Sequence, residues 1–114
     1  MTEAWMKALG VSLLLTLAIE CGAAWAAGKR GRALRTVALA NLLTNPPAVL
    51  AVLLWRNAGL PGETFLTAGA ELLAVAAEAL VYRTRPGDFP HCWRFSFLLN
   101  LLSFGTGLLI RGLI

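Results

Sequence analysis

Residues 8–27 read ALGVSLLLTLAIECGAAWAA, and residues 36–55 read TVALANLLTNPPAVLAVLLW. A helix crossing a bilayer core needs roughly 17–25 mainly apolar residues, and each run qualifies. Both are continuous and rich in Leu and Ala rather than alternating, which predicts helices and not barrel strands. Two further runs follow at residues 65–82 and 95–110. The fourth is short and is expected to let Arg111 snorkel toward the surface. The connections, 28–35, 56–64 and 83–94, leave no room for a soluble domain. The fold expected is an all-α membrane protein, one domain over residues 1–114, with four transmembrane helices.

Composition points the same way. Hydrophobic residues make up 58 % of the 114 residues and charged residues 14 %, and the mean hydropathy is +0.70. A soluble domain carries about 25 % charged residues. A soluble enzyme, a disordered tail and a coiled coil are excluded on that arithmetic. Cys21 and Cys92 are far apart and form no CxxC pair, and His91 is the only histidine, so no zinc site is visible. His91-Cys92 is read as an interfacial loop, no cofactor is expected, and any metal is left open.

The net charge of +4 is read as basic residues flanking spans, not as a nucleic-acid surface. Lys29, Arg30, Arg32 and Arg35 lie in the first connection, and Arg83, Arg85 and Arg94 in the third. Only Lys7, Arg56 and Arg111 lie on the other side. This bias predicts an inner-membrane protein with 28–35 and 83–94 cytoplasmic and both termini outside. The N-terminal run is expected to be an anchor, because the basic cluster after it opposes export. Trp5, Trp25, Trp55, Tyr82 and Trp93 fall at span ends, as an interfacial aromatic belt would. The small-residue ridges Ala18, Gly22, Ala26 and Ala70, Ala74 are expected to serve close helix packing.

The two halves of the chain match. Leu14-Leu15-Thr16-Leu17-Ala18-Ile19-Glu20 parallels Leu72-Leu73-Ala74-Val75-Ala76-Ala77-Glu78. Arg35, then five residues, then Asn41-Leu42-Leu43-Thr44 parallels Arg94, then five residues, then Asn100-Leu101-Leu102-Ser103. The polar matches carry the weight, because polar residues are scarce here. The expected architecture is two parallel helical-hairpin repeats, about 8–55 and about 65–110, with a pseudo-twofold axis along the membrane normal. Parallel repeats of this kind occur in transporters.

Charge inside a membrane is expensive, about 2.5–3.5 kcal/mol for a central Asp. Yet Glu20, Glu71 and Glu78 stand within spans, with no basic residue in any span interior. At about 1.5 Å per residue from the neighbouring basic residues, Glu20 lies roughly 13 Å deep, Glu78 about 8 Å, and Asn41 and Asn100 near 9 Å. The four are expected to face the bundle interior in one layer, with Thr44 and Ser103 a turn deeper. Glu71 lies two turns outward of Glu78, opposite Leu13 in the repeat, and so breaks the symmetry. Near its depth, Asn45-Pro46-Pro47 frees the carbonyls of Leu42 and Leu43. Phe104-Gly105-Thr106-Gly107 occupies the matching place. The second and fourth spans are expected to break there, since paired Pro/Gly interruptions point to a midplane site.

These groups are hard oxygen donors, suited to protons and to alkali or divalent cations. Glu20, Glu78 and Glu71 would supply charge, and Asn41, Asn100, Thr44, Ser103 and Asn45 neutral ligands. The expected function is non-enzymatic: a small transporter or channel component for protons or small cations, as a homodimer or with a partner membrane subunit. The alternative is a non-catalytic membrane subunit, its glutamates neutral and hydrogen-bonded to the asparagines as interhelical glue. Intramembrane proteolysis lacks a metal-binding histidine set and a base near Ser96 or Ser103, and no Gly-rich phosphate loop occurs.

The Glu of span one, Asn41-Leu42-Leu43-Thr44-Asn45-Pro46, Glu78 and Asn100-Leu101-Leu102-Ser103-Phe104 resemble a widespread group of small bacterial four-span membrane proteins. The resemblance covers most of the chain. It implies the architecture and no mechanism. Ala18-Ile19-Glu20-Cys21-Gly22 is faintly similar to the small multidrug resistance transporters, but the rest of their pattern is missing and they lack the direct repeat.

Overall fold

The computed structural model describes residues 2–113. They form four α-helices: α1 (Thr2–Ala26), α2 (Arg32–Asn57), α3 (Glu63–Arg83) and α4 (Cys92–Leu113). All four are long and apolar enough to cross a membrane. Each starts before its apolar run, because Arg32, Arg35, Glu63 and Arg94 lower hydropathy while remaining good helix formers. The connections shrink accordingly to 27–31, 58–62 and 84–91. The side chain of Arg111 lies outside the described residues.

Two of these short connections begin with the same glycine device. At the end of α1 the amide of Gly28 donates to the Trp25 carbonyl and that of Lys29 to the Ala24 carbonyl. At the end of α2 Gly59 donates to Arg56 and Leu60 to Trp55. This pattern needs a left-handed residue, and Gly28 has φ 95° and Gly59 φ 68°, where a side chain would be strained.

The helices pack as a ring. α1 packs along α2 and α4, and α3 along α2 and α4, while the backbones of the diagonal pairs α1/α3 and α2/α4 stay more than 8 Å apart between Cα atoms among the described residues. The bundle measures 44 × 24 × 23 Å. Its surface and interior are inverted relative to a water-facing domain. Leu14, Leu43, Leu72, Leu73 and Leu109 are each more than 60 % exposed, whereas Glu20, Asn41, Glu78, Ser96 and Asn100 are buried.

Three sequence expectations are corrected. The second and fourth spans do not break: α2 is one helix through Pro46 and Pro47, and α4 runs unbroken past Gly105. The prolines still remove two donors, so the carbonyls of Leu42 and Leu43 lose their helical partners by covalent structure alone. Turns on either side hold the helix through the gap. The Ala18, Gly22, Ala26 ridge is exposed rather than buried against another described helix. Tyr82 is not a belt residue; it is fully buried, because the third connection folds back beneath it.

Candidate functional site

The polar residues of the interior converge on two carboxyl groups. Asn41 Nδ2, on α2, donates to Glu20 Oε1, on α1, at 3.3 Å, and Ser103 Oγ, on α4, donates to Glu20 Oε2 at 2.8 Å. Asn100 Nδ2, on α4, donates to Glu78 Oε1, on α3, at 3.1 Å, and Thr44 Oγ1, on α2, donates to Glu78 Oε2 at 2.7 Å. Each glutamate therefore takes one amide donor from its own hairpin and one hydroxyl donor from the other. The asparagines match further: Asn41 Nδ2 also donates to the Val37 carbonyl and Asn100 Nδ2 to that of Ser96, both at 2.9 Å. The two carboxyl groups lie within hydrogen-bonding reach of each other.

Helical geometry explains the convergence. Asn41 and Thr44 are three residues apart, as are Asn100 and Ser103, so each pair shares one helix face. In a ring, that face can reach the glutamate of either neighbouring helix. A polar group withdrawn from water without a partner costs about 1–3 kcal/mol, which drives these side chains toward one another.

A cavity of about 280 Å³ opens above this layer. Glu20, Asn41, Glu78, Asn100 and Ser103 line its blind end, and Arg56 and Glu63, which are partly exposed, line its far end. There Arg56 Nε bonds Glu63 Oε1 at 2.8 Å. Ser12, Thr16, Asn45, Glu71 and aliphatic residues of α2 form the walls between. Asn45 Nδ2 lies 3.4 Å from Ser12 Oγ and 3.3 Å from Thr16 Oγ1. Glu71 borders the cavity without a hydrogen bond to another described residue. The Oδ1 atoms of Asn41 and Asn45 are buried and have no partner.

The opposite end of the bundle is sealed by rings. Tyr82 stacks on Phe89 at 4.5 Å and meets Phe95 edge-on at 5.3 Å. Lys29 Nζ sits over Phe89 at 5.0 Å and Phe95 at 5.3 Å, and it donates to the Asp88 carbonyl. The Tyr82 hydroxyl approaches Glu78 Oε1 at 3.5 Å. A compact aromatic plug with a cation on it thus separates the carboxyl layer from the first and third connections.

Of the sequence-derived residues, Glu20, Asn41, Thr44, Glu78, Asn100 and Ser103 come together in one cluster. Asn45 and Glu71 stand apart from it, farther along the same cavity. Sequence reasoning passed over Ser12 and Thr16, although both follow Glu20 outward at four-residue steps on the α1 face. It also missed the plug, because nothing local to Phe89 in the third connection foretells its burial. Among the described residues no group of three His, Cys, Asp or Glu side chains is arranged to hold a metal. No protein-family model, curated protein or solved structure matches the chain.

Proposed function

We propose that this chain is a small membrane transporter or channel component for protons or small cations, acting through an intramembrane Glu/Asn site. The observation that carries the proposal is the Glu20–Glu78 pair at the blind end of a polar cavity. Two buried carboxyl groups this close repel when both are ionised and are relieved when one carries a proton, which suits the pair to holding one. The hydroxyl and amide donors around it can hold either the protonated or the ionised pair. A polar cavity open to one side and a seal on the other is the arrangement that a gated pathway needs.

Membrane placement is supported by the apolar exterior, since contiguous exposed apolar surface of this extent marks a lipid or protein contact. The basic residues at the plugged end favour an inner-membrane orientation with that end cytoplasmic and the cavity open outward. The two matched sets of hydrogen bonds support descent from a duplicated hairpin. The exposed Ala18, Gly22, Ala26 ridge favours a second copy or a partner helix at α1, which also keeps open the alternative of a non-catalytic subunit.

The test is flux in liposomes under a pH or cation gradient. Glu20→Gln and Glu78→Gln are each expected to abolish flux while melting in detergent stays near that of the unmodified chain. Glu71→Gln is expected to slow flux less. Absence of flux under every gradient, or normal flux in both Gln variants, overturns the proposal. Unfolding of the variants assigns the glutamates to structural glue and favours the subunit reading.

A further inference from the structure

A second void, of about 500 Å³, lies along the α3–α4 seam. Its walls include Leu72, Phe97 and Leu101, each at least half exposed, so it opens sideways, away from the bundle axis. Glu71, Asn100 and Phe104 border both this groove and the polar cavity. Glu63 borders both as well, but at the exposed end and held by Arg56, so Glu71 is the deeper carboxyl group at the junction of the polar cavity and the apolar groove.

The repeat match suggests why this seam is open while its counterpart between α1 and α2 is bridged. Between α1 and α2, Asn45 bridges to Ser12 and Thr16. The positions that correspond on α3 and α4 are Ala70, Ala74 and Phe104, which make no such bridge. Leu13, beside the sealed seam, is replaced by Glu71 beside the open one. The halves differ where one hairpin closes a seam with hydrogen bonds and the other leaves a groove with an acid at its edge.

The chemistry of the lining selects the occupant. Around Glu71 the side-chain amides of Asn41, Asn45 and Asn100 and the hydroxyls of Thr44 and Ser103 already serve Glu20, Glu78 and the α1–α2 bridge, and the Thr67 hydroxyl serves the Glu63 carbonyl. What is left over at this depth accepts: Glu71, and the Oδ1 atoms of Asn45 and of Asn41, the latter residue 1 % exposed. The ligand must therefore bring donors and positive charge. No three acidic or other metal-binding side chains converge among the described residues, which disfavours a bare metal ion. The groove adds apolar surface that an inorganic cation cannot use.

We infer that the junction binds an amphipathic primary ammonium, its cationic head at Glu71 and its apolar body in the α3–α4 groove. This rests on the cation-handling reading above and narrows its substrate class.

The test is thermal melting of the full chain in phosphatidylcholine nanodiscs with decylammonium, against decanol, sodium and magnesium as controls. A ligand that binds the folded state raises the melting temperature by mass action. Decylammonium is expected to stabilise saturably and the controls not. Glu71→Gln is expected to weaken the apparent affinity at least about tenfold, as loss of an ion-pair partner would. Ala68→Trp, on the exposed face of α3 bordering the groove, is a second variant that leaves the acids intact. It is expected to remove the advantage of decylammonium over butylammonium. Equal stabilisation by decanol, or undiminished binding in both variants, overturns the inference. Proton flux without Glu71-dependent amine binding overturns this substrate class and spares the transport reading. Glu71-dependent binding without any flux supports the site and overturns transport.

Discussion

The hydroxyl of Thr44, on α2, donates a 2.7 Å hydrogen bond to Oε2 of Glu78, on α3. Its counterpart joins Ser103, on α4, to Glu20, on α1, at 2.8 Å. These two bonds cross between the hairpins, whereas the asparagine bonds stay within them. Hairpin association is thus written into the same carboxyl groups that form the candidate site.

Thr44→Val and Ser103→Ala are expected to destabilise the fold by similar amounts, about 0.5–2 kcal/mol each. Thr44→Ser should restore most of the loss, because it keeps the hydroxyl. Melting in detergent measures both. A large loss from one variant and none from the other would show the two positions to be inequivalent.

Phe89→Ala should lower stability by about 3 kcal/mol, since it empties a buried ring position. Tyr82→Phe should cost less than about 1 kcal/mol, as it keeps the ring and deletes only a long hydrogen bond. In a Cys92→Ser background, Phe89→Ala should also speed reaction of Cys21 with an impermeant thiol reagent added at the plugged side. An unchanged rate would mean that the plug does not exclude water.

Pro46→Ala gives α2 an amide donor facing the Leu42 carbonyl. The new amide is expected to exchange slowly with solvent, as a paired helical amide does. Fast exchange at position 46 would show that the carbonyl keeps another partner in the cavity.

Arg56 is the one basic residue among the described residues lining the cavity, and its pair with Glu63 is substantially exposed. Arg56→Gln is expected to change stability by less than about 1 kcal/mol. The same variant should speed cation flux, with a difference that shrinks as salt rises. A flux change independent of ionic strength would argue against an electrostatic role at the mouth.

The helices, and the six side chains of the carboxyl layer, were legible because in this chain polarity is rare and periodic. Glu20, Asn41, Glu78 and Asn100 stand out against Leu and Ala, and spacing places Thr44 and Ser103 on the asparagine faces. What was not legible depended on packing between distant segments. The burial of Phe89 requires the third connection to fold under α3 and meet Lys29 from the first, a contact between residues far apart in sequence. The continuity of α2 through Pro46-Pro47 was likewise misjudged, because local rules price the lost hydrogen bonds but not the neighbours that hold the helix in line. The asymmetry between the α1–α2 and α3–α4 seams was partly visible as Glu71 opposite Leu13, but its meaning needed the position of Asn45.

The aromatic plug also has an electrical consequence. In a bilayer, a water-filled vestibule conducts and supports little voltage drop along its length. The transmembrane potential would then fall mainly across the thin dry segment between the carboxyl layer and Lys29. An elementary charge crossing the full potential gains about 2.3 kcal/mol per 100 mV. Were charge to cross as the proposed pathway requires, that drop, concentrated over one or two helical turns, would make the step past Tyr82 and Phe89 the voltage-sensitive one and leave movement between the mouth and Glu20 nearly field-free.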